Sequence, residues 1–177
     1  MSASYALLGI LGQKPSYGYD LKKDYDFYYG REKPLAFGQV YATLARLLRD
    51  KKITSQEVGR TGEGPERKQY AITQLGRQDL EIWLGTPEML SSNTQTVLFT
   101  KVVTAILLDK SPNDYLDAQR MTHIARMREL TVVRREGDLA QSLRADYALF
   151  HLEADLRWID VTAARLQSLT REIQSER

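Results

Sequence analysis

The segment Ile53–Thr73, ITSQEVGRTGEGPERKQYAIT, decides how the rest of the chain is read. Its opening, ITSQEV, alternates and is rich in β-branched side chains, which suits a strand. GRTGEGPE follows, and its three glycines and one proline are turn chemistry. RKQYAI then alternates again, sending Lys68, Tyr70 and Ile72 to one side and Arg67, Gln69 and Ala71 to the other. The pattern predicts a two-stranded hairpin whose long tip is basic, with Arg60, Arg67 and Lys68 held out from the body.

Three helices are predicted before this hairpin. SYALLGILGQK ends near Gly12, and Pro15 bars its continuation. Ser16 is placed to cap a second helix in which Leu21 and Tyr25 share a face. FGQVYATLARLLRDKK carries Val40, Leu44, Leu47 and Leu48 at helical spacing, leaving Gln39, Thr43, Arg46 and Arg49 on the other side. After the hairpin, Thr73 caps a fourth helix, QLGRQDLEIWL, with Leu75, Leu80, Trp83 and Leu84 as its buried face. Three helices, a hairpin and a helix form the winged helix-turn-helix order.

The composition shifts after Gly85. Residues 85–94 read as a linker between a domain at 1–84 and a helical domain at 95–177. QTVLFTKVVTAILLD predicts a largely apolar helix. Ser111 and Pro112 open the next one, and Gly137 closes it. The last helix carries apolar residues about 3.5 positions apart and would extend on the order of 50 Å. One small domain has no use for that length, whereas a partner chain does. Leu143, Tyr147, Phe150, Ala154, Trp158 and Val161 are the expected dimer seam. The fold class is therefore mainly α with a small β-hairpin: an N-terminal winged helix-turn-helix plus a C-terminal helical dimerisation domain.

The 177 residues are 42% apolar and 27% charged, a globular composition. With no cysteine, a disulfide framework, a thiolate zinc site and a cysteine nucleophile are excluded. The apolar runs are too short to span a bilayer, and MSASYALLGILGQK lacks the build of a secretion signal, so a cytoplasmic location is expected. The net charge of +2 alone says little, but Arg31–Lys52 holds six basic residues against two acidic ones. Such an excess suits an anionic partner.

A helix fits the major groove of duplex DNA while a wing reaches the adjacent backbone, so double-stranded DNA is the expected partner. Gln39 can pair with adenine, Tyr41 and Thr43 offer hydroxyls, and Lys33 and Arg46 can neutralise phosphates. Arg60, Arg67 and Lys68 would hold phosphates or enter the minor groove. The competing reading is a winged helix that binds another protein instead of an operator. No nucleophile–base pair, metal spacing or phosphate loop supports an enzyme, and no cofactor or metal is expected. His151 and Asp155, four residues apart with His123 far off in sequence, read as a hydrogen-bonded network within or between protomers.

YALLGILGQKPSYGYDLKK, FGQVYATLARLLRDKKIT, GPERKQYAITQLGRQDLEIWL and the long C-terminal helices resemble the PadR family of transcriptional regulators. The most telling pieces are Tyr17-Gly18-Tyr19, Gly38-Gln39-Val40-Tyr41 and the Arg67/Lys68, Tyr70, Thr73, Gly76 series. The resemblance implies a homodimeric repressor on a near-palindromic operator, released by a small-molecule effector whose identity no motif reveals. It also implies DNA contacts at Tyr17, Tyr19, Gln39, Tyr41, Thr43, Arg67, Lys68 and Tyr70. One departure is Ala42, where many members carry proline.

Overall fold

The computed structural model describes residues 2–30, 34–57, 68–88 and 94–175. In chain order these form α1 (Ser2–Gln13), β1 (Ser16–Tyr17), α2 (Gly18–Tyr28), α3 (Phe37–Arg49), β2 (Ile53–Glu57), β3 (Lys68–Ile72), α4 (Gln74–Gly85), α5 (Thr94–Leu107), α6 (Asn113–Glu136) and α7 (Leu139–Ser175). The fold is mostly helical with one small antiparallel sheet, in winged helix-turn-helix order.

The sheet has three strands in the order β1-β3-β2. Ser55 and Ser16 both stand opposite Tyr70, on either side of it. The expected hairpin is thus present with an additional two-residue strand. Ser16 belongs to that strand and is not the cap of α2. Tyr17 takes the cap position in extended backbone and gives no side-chain cap bond.

Packing divides the chain into two units, Met1–Gly85 with Phe99–Lys110, and Thr86–Leu98 with Ser111–Arg177. Of the 85–94 linker, residues 89–93 lie outside the described residues. In the first unit, Leu7, Leu8 and Leu11 of α1 meet Leu21, Val40, Leu44, Leu47, Ile53, Tyr70 and Leu80 in one apolar core. Residues 99–110 are knitted into this unit. Thr104 sits against Gly9, where a Cβ would meet its methyl at 2.6 Å. The hydroxyls of Thr104 and Tyr29 lie 3.0 Å apart, and Gln13 Nε2 donates to the Leu107 carbonyl at 3.1 Å. Lys101 is buried with Nζ 5.0 Å from the centre of the Trp83 ring, a cation–π arrangement. Tyr5 stacks on the same indole at 4.4 Å.

Two turns fix the wing to the body. Lys51 closes α3 with φ at 55°, and Lys52 N–H reaches back to the Leu47 carbonyl at 2.9 Å. This left-handed closure aims the chain into β2. At the other end, Thr73 Oγ1 accepts from Gly76 N–H at 3.0 Å, capping α4 as expected, and donates to the Lys51 carbonyl at 2.8 Å. Gly76 must be glycine here: a Cβ would stand 2.1 Å from the Lys52 carbonyl oxygen.

In the second unit α7 lies along α6, with Leu130, Ala145, Leu149 and Leu152 as a core. His123 and Asp155 are buried partners there. His123 Nε2 lies 3.2 Å from Asp155 Oδ2 and its Nδ1 is 3.1 Å from Gln119 Nε2. Gln119 also holds the Glu88 backbone from both sides, at 2.6 and 2.7 Å. Since an amide nitrogen can only donate, Nδ1 accepts and Nε2 carries the proton toward the carboxylate. Asp155 thus pairs with the distant His123, whereas His151 is exposed and meets the edge of Tyr147 at 4.4 Å.

Candidate nucleic-acid interface

The outer side of α3 is the centre of the site. Val40, Leu44 and Leu47 face the core, which leaves Phe37, Gly38, Gln39, Tyr41, Ala42, Ala45, Arg46 and Arg49 exposed. Gln39 and Arg46 therefore share one flank of this accessible face, and Tyr41 lies on the other, against α2. Tyr41 is 48% exposed, and its ring passes so close to Gly18 that a Cβ there would meet it at 2.8 Å. Glycine at 18 thus lets the start of α2 lie directly against α3. Tyr19, one residue on, is 64% exposed, and Tyr17 is half-buried.

Two expected contacts point elsewhere. Thr43 is buried, and its hydroxyl donates to the Gln39 carbonyl one turn earlier at 2.7 Å. A threonine hydroxyl satisfied by its own helix turns its methyl inward, so residue 43 joins the core side of α3. Tyr70 is buried because β3 is the central strand and sets its ring into the core. That burial raises the Tyr70 hydroxyl above the usual tyrosine range, with Tyr41 nearby adding to the shift. Lys68 is exposed at the start of β3, with Glu57 across the sheet at 3.9 Å. Lys33, Arg60 and Arg67 lie outside the described residues.

Gln39 has a second occupation. Its Oε1 accepts the Ala36 backbone N–H at 3.0 Å, closing the first turn of α3. While that bond holds, the side chain offers outward donors, and reading adenine with both amide atoms would require breaking it.

Phe37 escaped the sequence reading. It stands three residues before Val40 and seven before Leu44, so periodicity alone would assign it to the core stripe. Instead the first turn of α3 overhangs the core and leaves Phe37 44% exposed. Its ring stacks on Tyr19, with centroids 5.8 Å apart and planes at 21°. Lys22 Nζ lies 5.3 Å from the Phe37 ring centre and is paired with Asp26.

On α7, Leu143, Tyr147, Phe150, Ala154 and Val161 are all exposed and Trp158 is half-buried. They lie opposite the buried Ala145, Leu149, Leu152, Ile159 and Leu166. No helix among the described residues is long and apolar enough to cross a membrane.

Residues 7–82 match the family model described as the transcriptional regulator PadR-like family. Over those residues, less than half of its length, the chain is similar to the PadR-like family. Among solved structures, a PadR family transcription regulator from hypervirulent Clostridium difficile R20291 is 29% identical, with 46% of this chain and 82% of that one covered and a TM-score of 0.41. Bacillus subtilis PadR in complex with operator DNA is 21% identical over 92% of this chain and 96% of that one, with a TM-score of 0.42. The same protein in complex with p-coumaric acid is 20% identical over 94% and 99%, with a TM-score of 0.40. No curated protein matches. The PadR-like match ends inside α4, so α5–α7 are described by their own packing alone.

Proposed function

We propose that this PadR-like regulator is a homodimeric repressor that binds a near-palindromic operator through α3 and the wing. The observation that carries this reading is the accessible face of α3, where Gln39, Tyr41 and Arg46 stand clear of the core beside Tyr19 and the three-stranded sheet. Recognition helices present side chains to base edges in this manner, and Arg46, Lys68, Lys33, Arg60 and Arg67 supply charge for phosphates. Tyr17 lies at the edge of this group.

Dimerisation is supported by the exposed seam of α7. Tyr147 is 69% exposed, and Leu143, Phe150 and Val161 share its face, more apolar surface than a lone helix leaves to water. In such a dimer, paired α3 helices would enter successive major grooves, about 34 Å apart. Release by a small molecule requires that it bind one arrangement of the dimer better than the other.

The test is binding of the purified protein to DNA upstream of its own reading frame, titrated across salt against scrambled competitor. Tight, competitor-resistant binding with a steep salt slope is expected. Binding no tighter than to scrambled DNA, there and in a selection from random duplexes, would overturn operator recognition.

A further inference from the structure

We propose that Phe37, backed by Tyr19, reads the 5-methyl groups of thymine in the major groove. This rests on the DNA-binding reading above.

A phenyl ring at the first residue of α3 gains nothing by facing water, because the core side of the helix begins at Val40. Tyr19 stacks on that ring without covering it. The result is a rigid apolar step rimmed by the Lys22–Asp26 pair, which is the form of a contact surface rather than a stray exposed residue.

The N-terminal residues of a recognition helix are those that meet base edges. Among the four bases, the only apolar group displayed in the major groove is the thymine methyl. Gln39, two residues on, lies on the other flank of α3 with its oxygen bonded to Ala36 N–H, so it serves a different base from the one Phe37 meets. The phenyl ring by itself therefore matches the one apolar feature of a thymine edge.

A Cβ at Gly38, between Phe37 and Gln39, would meet nothing within 4 Å, and its backbone is ordinary helix. The fold itself does not require glycine there, whereas close approach of a groove wall does.

The experiment uses duplexes selected from a random pool by the full-length protein. Each thymine is replaced in turn by deoxyuridine, which keeps pairing and O4 but lacks the methyl. Wild-type affinity is expected to fall roughly fourfold at one or two thymines per half-site, the value of one buried methyl-sized group. Phe37→Ala should bind the dT and dU duplexes equally, while Phe37→Leu keeps part of the difference. If the wild type binds its selected duplex tightly but no dU replacement weakens it, or Phe37→Ala discriminates as well as wild type, the assignment is wrong. The wild-type measurement is independent of how any variant folds. Failure to enrich any duplex over scrambled DNA would instead overturn the DNA-binding reading, and this inference with it.

Discussion

Gln39 Oε1 and Ala36 N–H are hydrogen-bonded at 3.0 Å, so a residue proposed to read a base also holds the first turn of its own helix. The two roles separate by substitution. Gln39→Ala removes the bond and should lower stability by about 1 kcal/mol. Gln39→Glu keeps an acceptor and adds a negative charge that the helix N-terminus welcomes, so its melting temperature should equal or exceed wild type. On the proposed interface the same charge would repel the nearby phosphates and should cut DNA affinity at least tenfold in a parallel titration. Retained affinity in Gln39→Glu would remove Gln39 from the interface.

Gly76 and Thr73 hold the return from β3 into α4. Gly76→Ala drives a Cβ to 2.1 Å from the Lys52 carbonyl, a backbone atom that cannot swing away, and should cost roughly 2–3 kcal/mol. Thr73→Val loses both the cap to Gly76 and the bond to Lys51, for about 1–2 kcal/mol. Urea melts measure both. Lys52 lies close by, its pKa raised chiefly by its hydrogen bond to Asp79 at 2.6 Å, so a shift of the turn also disturbs that pair.

At Gly38 the expectation is reversed. With open space above it, Gly38→Ala should stabilise the free protein by roughly 0.5–1 kcal/mol. The added methyl should weaken DNA binding. Stabilisation without any loss of affinity would show that nothing approaches this backbone closely.

The buried Gln119–His123–Asp155 chain depends on each member. Asp155→Ala strips the acceptor from a buried imidazole N–H and should cost about 1–3 kcal/mol. Gln119→Leu preserves volume but removes both bonds to Glu88. Hydrogen exchange at the Glu88 amide should accelerate in that variant more than its loss of global stability accounts for.

Tyr29 gives a pH signature. Burial holds its hydroxyl well above the ordinary tyrosine range, only partly offset by the bond to Thr104. Above pH about 10 an unfolded tyrosine loses its proton while the folded one keeps it, so the native state binds more protons and stability falls as pH rises. Below that pH the contribution is fully present. Tyr29→Phe should shift the stability curve down by about 1 kcal/mol near neutral pH and flatten its fall between pH 9 and 11, read from denaturant midpoints.

The element order was legible because each helix and strand carries its own punctuation: Pro15, Thr73 and Gly137 mark ends that local chemistry decides. Thr43 and Leu75 show where periodicity fails. A stripe fixes which residues share a face but not how far the core extends along it, so Thr43 falls outside the stripe yet is buried, while Leu75 falls within it yet is half exposed. Phe37 fits the stripe and overhangs it. β1 is two residues long, too short for any alternation to register, and exists because β3 offers it an edge. Likewise His123 and Asp155 are 32 positions apart. No local pattern announces such a pair, whereas the i, i+4 neighbour His151 suggested itself and faces away.

The end of α5 has a consequence for how the protein is made. Thr104, Leu107 and Lys110 bind α1, α2 and α4 through Gly9, Tyr29, Gln13 and Glu81, yet they emerge from the ribosome after all of those elements and after the family-matched stretch has ended. The first unit cannot seal its core during synthesis until this later segment is released from the exit tunnel. A gene fragment ending at Gly85 would therefore yield a chain with one wall absent and its apolar lining bare to aggregation, whereas one continued through Lys110 brings that wall with it.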